Sequence, residues 1–441
     1  MLLINGTLAI FDGHRQLVED GALRIQDGVI TEVSTTPHLL AAYPADDVLD
    51  ARGGLVMPGL ICAHTHFYGA FARGMALPGV APASFTEILE RLWWRLDKLL
   101  TLEDIRYSTL VCLADAIRHG TTTLFDHHAS PSAVSGSLDT IAAAVEQAGV
   151  RACLCYEVSD RDGAAAADAG LLENARFIAR LGTRPGLLAA SLGLHASFTL
   201  SDRTLERARA LAEELEVGFH VHVAEDLADV QDSVRRSGSR VVPRLAKYGI
   251  LGHRTIAGHC VHVDAEEIGL LAATGTWVVH NPRSNMNNAV GTADVPGMLA
   301  AGIPVGMGND GFSNNMFSEM KAAYLLHKHA AGDARVMPAD QVVGMAMENN
   351  AQMARCFFSP PLGQLVPGAS ADLIILDYDP PTPLTAANLP WHLIFGVDGG
   401  QVNTTMVCGK VLMRDRRLTT LDGKEIHARS RELAAKLWAR G

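Results

Sequence analysis

Leu55-Val56-Met57-Pro58-Gly59-Leu60-Ile61-Cys62-Ala63-His64-Thr65-His66 is the stretch whose reading decides the fold. Its apolar run over 55–63 predicts a buried β-strand that ends in two histidines. Successive strand side chains point to opposite faces, so His64 and His66 point the same way. Two imidazoles converging at the end of a buried strand make half of a metal site. An HxH pair alone is more often an ordinary histidine pair, so the other ligands must come from elsewhere in the chain.

Outward from this stretch the pattern repeats as apolar strand, loop and amphipathic helix. Strands are predicted at 55–63, 121–125, 151–157, 187–194, 217–223, 255–257, 277–280 and 303–307. Helical periodicity lies between them, as at 104–118, 138–147, 164–180, 202–215, 265–273 and 316–331. Eight strands alternating with helices predict an α/β protein built as a TIM (β/α)8 barrel, with a doubly wound open sheet as the alternative. Residues 1–54 read as short strands, with Asp27-Gly28 as a hairpin turn. After about residue 365 the β character returns, and a closing helix covers 425–438. The expected organisation is a barrel over 55–365 and a small β-sandwich domain built from 1–54 and 366–441.

Bulk properties narrow the function. The chain has 441 residues, 48% hydrophobic and 19% charged, enough for a large core. A net charge of −11 argues against a nucleic-acid footprint, which needs a basic face. No run approaches the ~18 uninterrupted apolar residues of a membrane span. Met1–Thr7 lacks the basic and apolar regions of a signal peptide and reads as a first strand. Seven scattered cysteines without a CxxC point to a reducing, cytoplasmic setting. A homodimer is the ordinary expectation for such a barrel, with no particular residue to support it.

In a TIM barrel the chemistry sits at the C-terminal ends of the strands. The predicted ends carry His64 and His66; Asp126-His127-His128; His195; His220, His222 and Glu225; His259; His280-Asn281; and Asn309-Asp310. Scattered histidines would not fall in this way. Gly306-Met307-Gly308-Asn309-Asp310-Gly311 matches GxGxxG, but it follows the last strand. A dinucleotide fingerprint opens a βαβ unit instead. The glycines are better read as letting the backbone turn tightly around Asp310. Walker A, HExxH, GxSxG and the HxE…PCxxC signature of nucleobase deaminases are missing.

The runs Pro58-Gly59-Leu60-Ile61-Cys62-Ala63-His64-Thr65-His66, His222-x-x-Glu225, Gly258-His259-Cys260-Val261-His262, Asn281-Pro282-x-Ser284-Asn285 and Asp310 resemble the amidohydrolase superfamily. More narrowly they look like its deaminase and chlorohydrolase branch. Leu92-Trp93-Trp94-Arg95-Leu96-Asp97, 126–131 and 283–288 are most similar to the SsnA-type aminohydrolases. The resemblance covers the whole chain. It implies one divalent metal on His64, His66, His222 and Asp310, with zinc the default and iron or manganese the alternatives. His220 shares strand parity with His222 and is the rival ligand. The resemblance favours His222, three residues before Glu225. Related two-metal hydrolases use a Lys at the end of strand 4, where this chain has His195.

The implied reaction is attack of a metal-bound hydroxide on a cyclic amidine in a purine-, pteridine- or pyrimidine-like ring, releasing ammonia. Asp310 would take the proton from water, Glu225 would protonate the ring and the leaving amine, and His259 would stabilise the tetrahedral centre. Substrate contacts are expected from His195, Arg161, Trp94, His128 and Asn285. The loop from 67 to about 100 is expected over the barrel mouth. Packing alone is the competing reading for the tryptophans, an exposed turn for Asp160-Arg161, and helix capping for Asn285. Hydrolytic dehalogenation of a triazine-like ring is the rival chemistry, and a non-catalytic scaffold the rival class.

Overall fold

The computed structural model describes residues 1–440 apart from 15, 78 and 183–185. Position 78 of the expected lid loop and residue 441 of the expected C-terminal unit lie outside the described residues. The first strands are β1 (Leu2–Ala9), β2 (Leu17–Gln26), β3 (Val29–Thr35), β4 (Val48–Asp50) and β5 (Leu55–Pro58). The middle strands are β6 (Leu60–Thr65), β7 (Thr121–His128), β8 (Arg151–Tyr156), β9 (Leu188–Ala190) and β10 (Leu192–Ala196), then β11 (Phe219–Val223), β12 (Ile256–His259), β13 (Trp277–His280) and β14 (Val305–Met307). The chain closes with β15 (Leu373–Leu376), β16 (Val402–Val407), β17 (Lys410–Arg414) and β18 (Arg417–Leu418).

Among the described residues these strands make one mainly antiparallel sheet and two parallel ones. The first runs β18-β17-β16-β15-β5-β1-β2-β3, with β4 beside β1, and so joins both ends of the chain. The parallel sheets run β6-β7-β8-β9 and β10-β11-β12-β13-β14. Isolated parallel bridges link their edges, Thr65 to Asp310 and Val158 to Leu194. The predicted hairpin turn is present: Asp27 and Gly28 both have positive φ (50° and 80°), as a turn matched to strand twist requires.

Two expected strands are each broken once. The run 55–63 is two strands, because β5 pairs with β1 and β15 while β6 pairs with β7. The joint is Gly59, whose N–H donates to Asp372 O at 3.0 Å; the next N–H, of Leu60, donates to Gly120 O at 2.9 Å. A Cβ at Gly59 would lie 2.3 Å from the Thr122 side chain, so a glycine is required where the chain passes between sheets. The run 187–194 breaks at Ser191. Ser191 N–H bonds back to Leu154 O in β8, and Leu192 N–H bonds forward to Gly218 O before β11. In both places uniform apolarity hides a change of neighbour.

Helices alternate with the parallel strands, including Leu102–Arg118, Ser137–Ala148, Ala164–Leu181, Asp202–Leu215, Ala265–Thr274 and Met316–Ala331. The first starts at a reciprocal Thr101–Asp104 capping box. The last helix, Gly423–Arg440, buries Ile426, Leu433 and Leu437. From it Trp438 Nε1–H donates to Phe71 O at 2.8 Å, and Arg440 reaches Leu99 O at 3.0 Å and Asp104 at 2.7 Å. It therefore pins both ends of the segment 67–100. No helix among the described residues is long and apolar enough to cross a membrane.

A buried ion pair ties the parallel strands to the terminal sheet. Arg151, at the start of β8, donates to Asp372 at 2.7 Å, Gly186 O at 2.9 Å and Ser370 Oγ at 2.8 Å. The Asp372 carboxylate also accepts from Cys408 N–H and Ser370 Oγ–H, at 2.8 and 2.7 Å.

Candidate metal centre and active site

Strand parity brings the predicted ligands together at the C-terminal ends of the parallel strands. His66 Nδ1–H donates to His127 O at 2.5 Å, and His222 Nδ1–H donates to His195 O at 2.8 Å. These bonds commit both Nδ1 atoms as donors and leave both Nε2 atoms facing the cluster, 3.3 Å apart. Asp310 Oδ1 stands 3.0 Å from His66 Nε2 and 3.6 Å from His64 Nε2. Its Oδ2 accepts a hydrogen bond from the Ser284 hydroxyl. His64 Nε2 is buried and has no hydrogen-bond partner among the described residues. His220 Nε2 is taken up by His64 Nδ1 at 2.8 Å, and so is not turned toward Asp310.

The electrostatics of this cluster centre on the Asp310 carboxylate. Burial holds His64 down to about 3 and His222 well below the ordinary histidine value. Burial also opposes charge on His66, yet hydrogen bonding and charge from Asp310 push it up to about 9. Asp310 stays ionised despite burial, because His64 and His66 hold its carboxyl well below the usual range. One carboxylate facing three nitrogens suits a His3Asp site for a divalent metal. Asp310 and His259 also sit in the left-handed backbone region, at φ 55° and 70°, which aims both side chains inward. The glycine reading of 306–311 is specific at Gly308: a Cβ there would lie 2.7 Å from His64 O.

Glu225 and His259 stand beside the ligands. Glu225 Oε1 accepts from Asn288 Nδ2 at 3.3 Å, and Oε2 lies 3.6 Å from His259 Nε2. Burial pushes the Glu225 carboxyl up to about 7. His259 Nδ1–H donates to Asn285 Oδ1 at 2.8 Å, leaving a buried Nε2 without a partner among the described residues. One cavity is lined by His66, His222, Asp310 and Glu225 on its polar side, and by Tyr68, Phe85, Trp93, Trp94 and Phe198 on its aromatic side.

The expected substrate contacts divide into two groups. His195 and Trp94 line the cavity, their rings 6.1 Å apart. Arg161, His128 and Asn285 do not line it. Arg161 pairs with buried Asp97, its guanidinium 5.3 Å from the Trp94 ring centroid, so it braces the lid from behind. Asp160 caps the helix Asp202–Leu215 through Ser201 N–H and Thr204 Oγ1. His128 Nε2–H donates to Ser130 Oγ at 3.0 Å, and its ring lies behind Tyr68. Asn285 instead holds the His259 ring.

Sequence reasoning misses Glu157, which lines the cavity directly after β8. His127 Nδ1–H donates to its Oε2 at 3.1 Å, and His195 Nε2 lies 3.7 Å from its Oε1. Burial works to raise this carboxyl, but His195 and His127 hold it well below the usual range. The strand-end rule that selects the histidines selects Glu157 equally.

The profile of the amidohydrolase family matches residues 55–412. The chain belongs to the amidohydrolase family. This amidohydrolase is 34% identical to a 5-methylthioadenosine/S-adenosylhomocysteine deaminase of Syntrophomonas wolfei, over 99% of each chain. Its fold is similar to an adenosine deaminase from Xanthomonas campestris crystallised with zinc, at TM-score 0.88 and 26% identity, over 99% of this chain and 98% of that one. It is also similar in fold to the zinc-complexed atrazine chlorohydrolase of Arthrobacter aurescens, at TM-score 0.85 and 23% identity, over 98% and 99%.

Proposed function

We propose that this amidohydrolase is a metal-dependent aminohydrolase that deaminates a cyclic amidine in a purine-, pteridine- or pyrimidine-like ring and releases ammonia. The observation that carries the reading is the convergence of His66 Nε2, His222 Nε2 and Asp310 Oδ1 with Glu225 and His259 on the same rim. The 34% identical deaminase supports the reaction type. His64, His66, His222 and Asp310 would hold one divalent metal. Zinc is the first candidate, from the ligand set and the zinc-bound structures of similar fold. When bound, such a metal acts as a Lewis acid that lowers the pKa of water from ~15.7 toward 7.

The chain's own groups divide the proton work. Asp310, steadied by the Ser284 hydroxyl, accepts the proton of the attacking water. Glu225 is buried enough to hold a proton near neutrality and delivers it to the ring nitrogen; the proton Asp310 took from water recharges Glu225 for the leaving amine, and the hydroxyl proton lost as the carbonyl forms restores the acid form of Glu225. His259, steered by Asn285, points Nε2 at the same region, beside Glu225, where it can hydrogen-bond the attacking oxygen. Trp93, Trp94 and Phe198 offer faces for a flat ring. Dehalogenation needs no acid for a departing chloride, so the buried Glu225 speaks for the amine.

We also read the two parallel sheets as one closed (β/α)8 barrel. The edge bridges Thr65–Asp310 and Val158–Leu194 and the similar folds support this. The ends of the chain form the small β domain, with Gly59 as the division from the barrel. The deaminase reading is tested by a coupled ammonia-release screen of metal-loaded protein over amino-heterocycles. Asp310→Asn and Glu225→Gln serve as controls. Full activity in both variants would sink the proton-transfer roles of Asp310 and Glu225.

A further inference from the structure

Glu157 and His195 leave an unusual pair of atoms facing the cavity. The Thr199 hydroxyl donates to Ala196 O at 3.1 Å, so its oxygen must accept from His195 Nδ1–H at 2.6 Å. That bond leaves His195 Nε2 as the ring's other nitrogen, with no hydrogen bond to it among the described residues. It stands 3.7 Å from Glu157 Oε1, beyond hydrogen-bond reach. Glu157 is anchored only at Oε2, by His127, and its Oε1 likewise has no hydrogen bond among the described residues. Both residues are more than nine-tenths buried, at 6% relative exposure each.

Two adjacent acceptors on a buried wall are complementary to donors, and leaving them unmatched in a filled, dry cavity is unfavourable. Their position narrows the source of those donors. Ligand atoms of Glu157, His195 and His222 all lie within 4.8 Å of one another. The donors therefore belong to the reacting ring itself and not to a remote sugar. Building on the function proposed above, we infer that Glu157 is a specificity-determining residue. Its Oε1, beside His195 Nε2, accepts a hydrogen bond from an N–H that flanks the attacked carbon. The wall favours amino-oxo rings of the guanine or isocytosine type, which carry such an N–H, over rings of the adenine type, whose one flanking ring nitrogen is a bare acceptor.

The test compares guanine with 1-methylguanine, and isocytosine with its 3-methyl analogue, with adenine as the bare-nitrogen reference. Equilibrium binding by calorimetry and ammonia release are both read, in metal-loaded wild type, Glu157→Leu and Glu157→Gln. Wild type is expected to prefer each N–H parent over its methylated analogue by at least ~10-fold. In Glu157→Leu that ratio falls toward one while metal content holds. Glu157→Gln, the fallback should the Leu variant not fold, lowers the ratio by a smaller factor and raises KM more than it lowers kcat. An unchanged ratio in a folded, metal-loaded variant overturns the inference, as does wild type that binds neither parent. Wild type that deaminates adenine-type rings without preferring an N–H overturns this inference and leaves the proposed function standing. Glu157-dependent binding of the N–H rings with no ammonia released from any ring does the reverse.

Discussion

Two clusters of buried charge in this molecule are built to opposite ends. Around Arg151 and Asp372 every strong donor meets an acceptor: a carboxylate, a hydroxyl and a backbone carbonyl surround the guanidinium. Around Asp310 the arrangement is left open, with Nε2 atoms of His64 and His66 turned toward one carboxylate and those of His66 and His222 toward each other. Both clusters are buried in the same protein. The closed one can only hold two sheets together, whereas the open one leaves buried ring nitrogens of His64 and His259 without a partner among the described residues. Buried charge by itself therefore does not mark a site; unmatched buried polarity does.

The sharpest way to break this contrast is chelation. Removing the metal should abolish ammonia release, and should lower stability by ~4 kcal/mol where free metal had stood at about 1,000 times its Kd. A chelator-treated protein with unchanged melting and full turnover would remove the distinction. Next, Asp310→Asn and Glu225→Gln should each lower turnover by at least ~10². Elemental analysis separates them, since only Asp310→Asn should also lose metal. In the closed cluster, Arg151→Met should destabilise by about 3–5 kcal/mol, because it strands the Asp372 carboxylate. The folded fraction should keep its KM, and the double replacement Arg151→Met with Asp372→Leu should recover much of the loss in denaturant titrations. The smallest expected effect is at Asn285→Ala, which removes one hydrogen bond to His259. It should slow turnover by ~10-fold, an energy of about 1.4 kcal/mol.

What can be read in the sequence follows the same division. His64, His66, His222 and Asp310 are legible because strand parity and the strand-end rule act on neighbours in the chain. The choice between His220 and His222 needs family resemblance, because parity treats them alike. The joint at Gly59 is not legible, since β5 and β6 are equally buried although they belong to different sheets. Arg161 reads as a substrate contact because its partner Asp97 lies 64 positions earlier, and a long-range ion pair leaves no local mark. Glu157 is within reach of the strand-end rule, but the more conspicuous Asp160-Arg161 behind it draws the eye.

The joint at Gly59 also bears on how far this protein can be shortened. β5 is hydrogen-bonded to β1 on one side and to β15 on the other, and runs directly into the strand that carries His64 and His66. Deleting residues 1–54 would strip β1 away and leave β5 as a bare, fully apolar edge, an invitation to intermolecular pairing. Cutting at Gly59 instead would leave β15 without β5 between it and the N-terminal strands. The strand pairing leaves no seam at Gly59 where a protease, a genetic fusion or a circular permutation could part the chain cleanly.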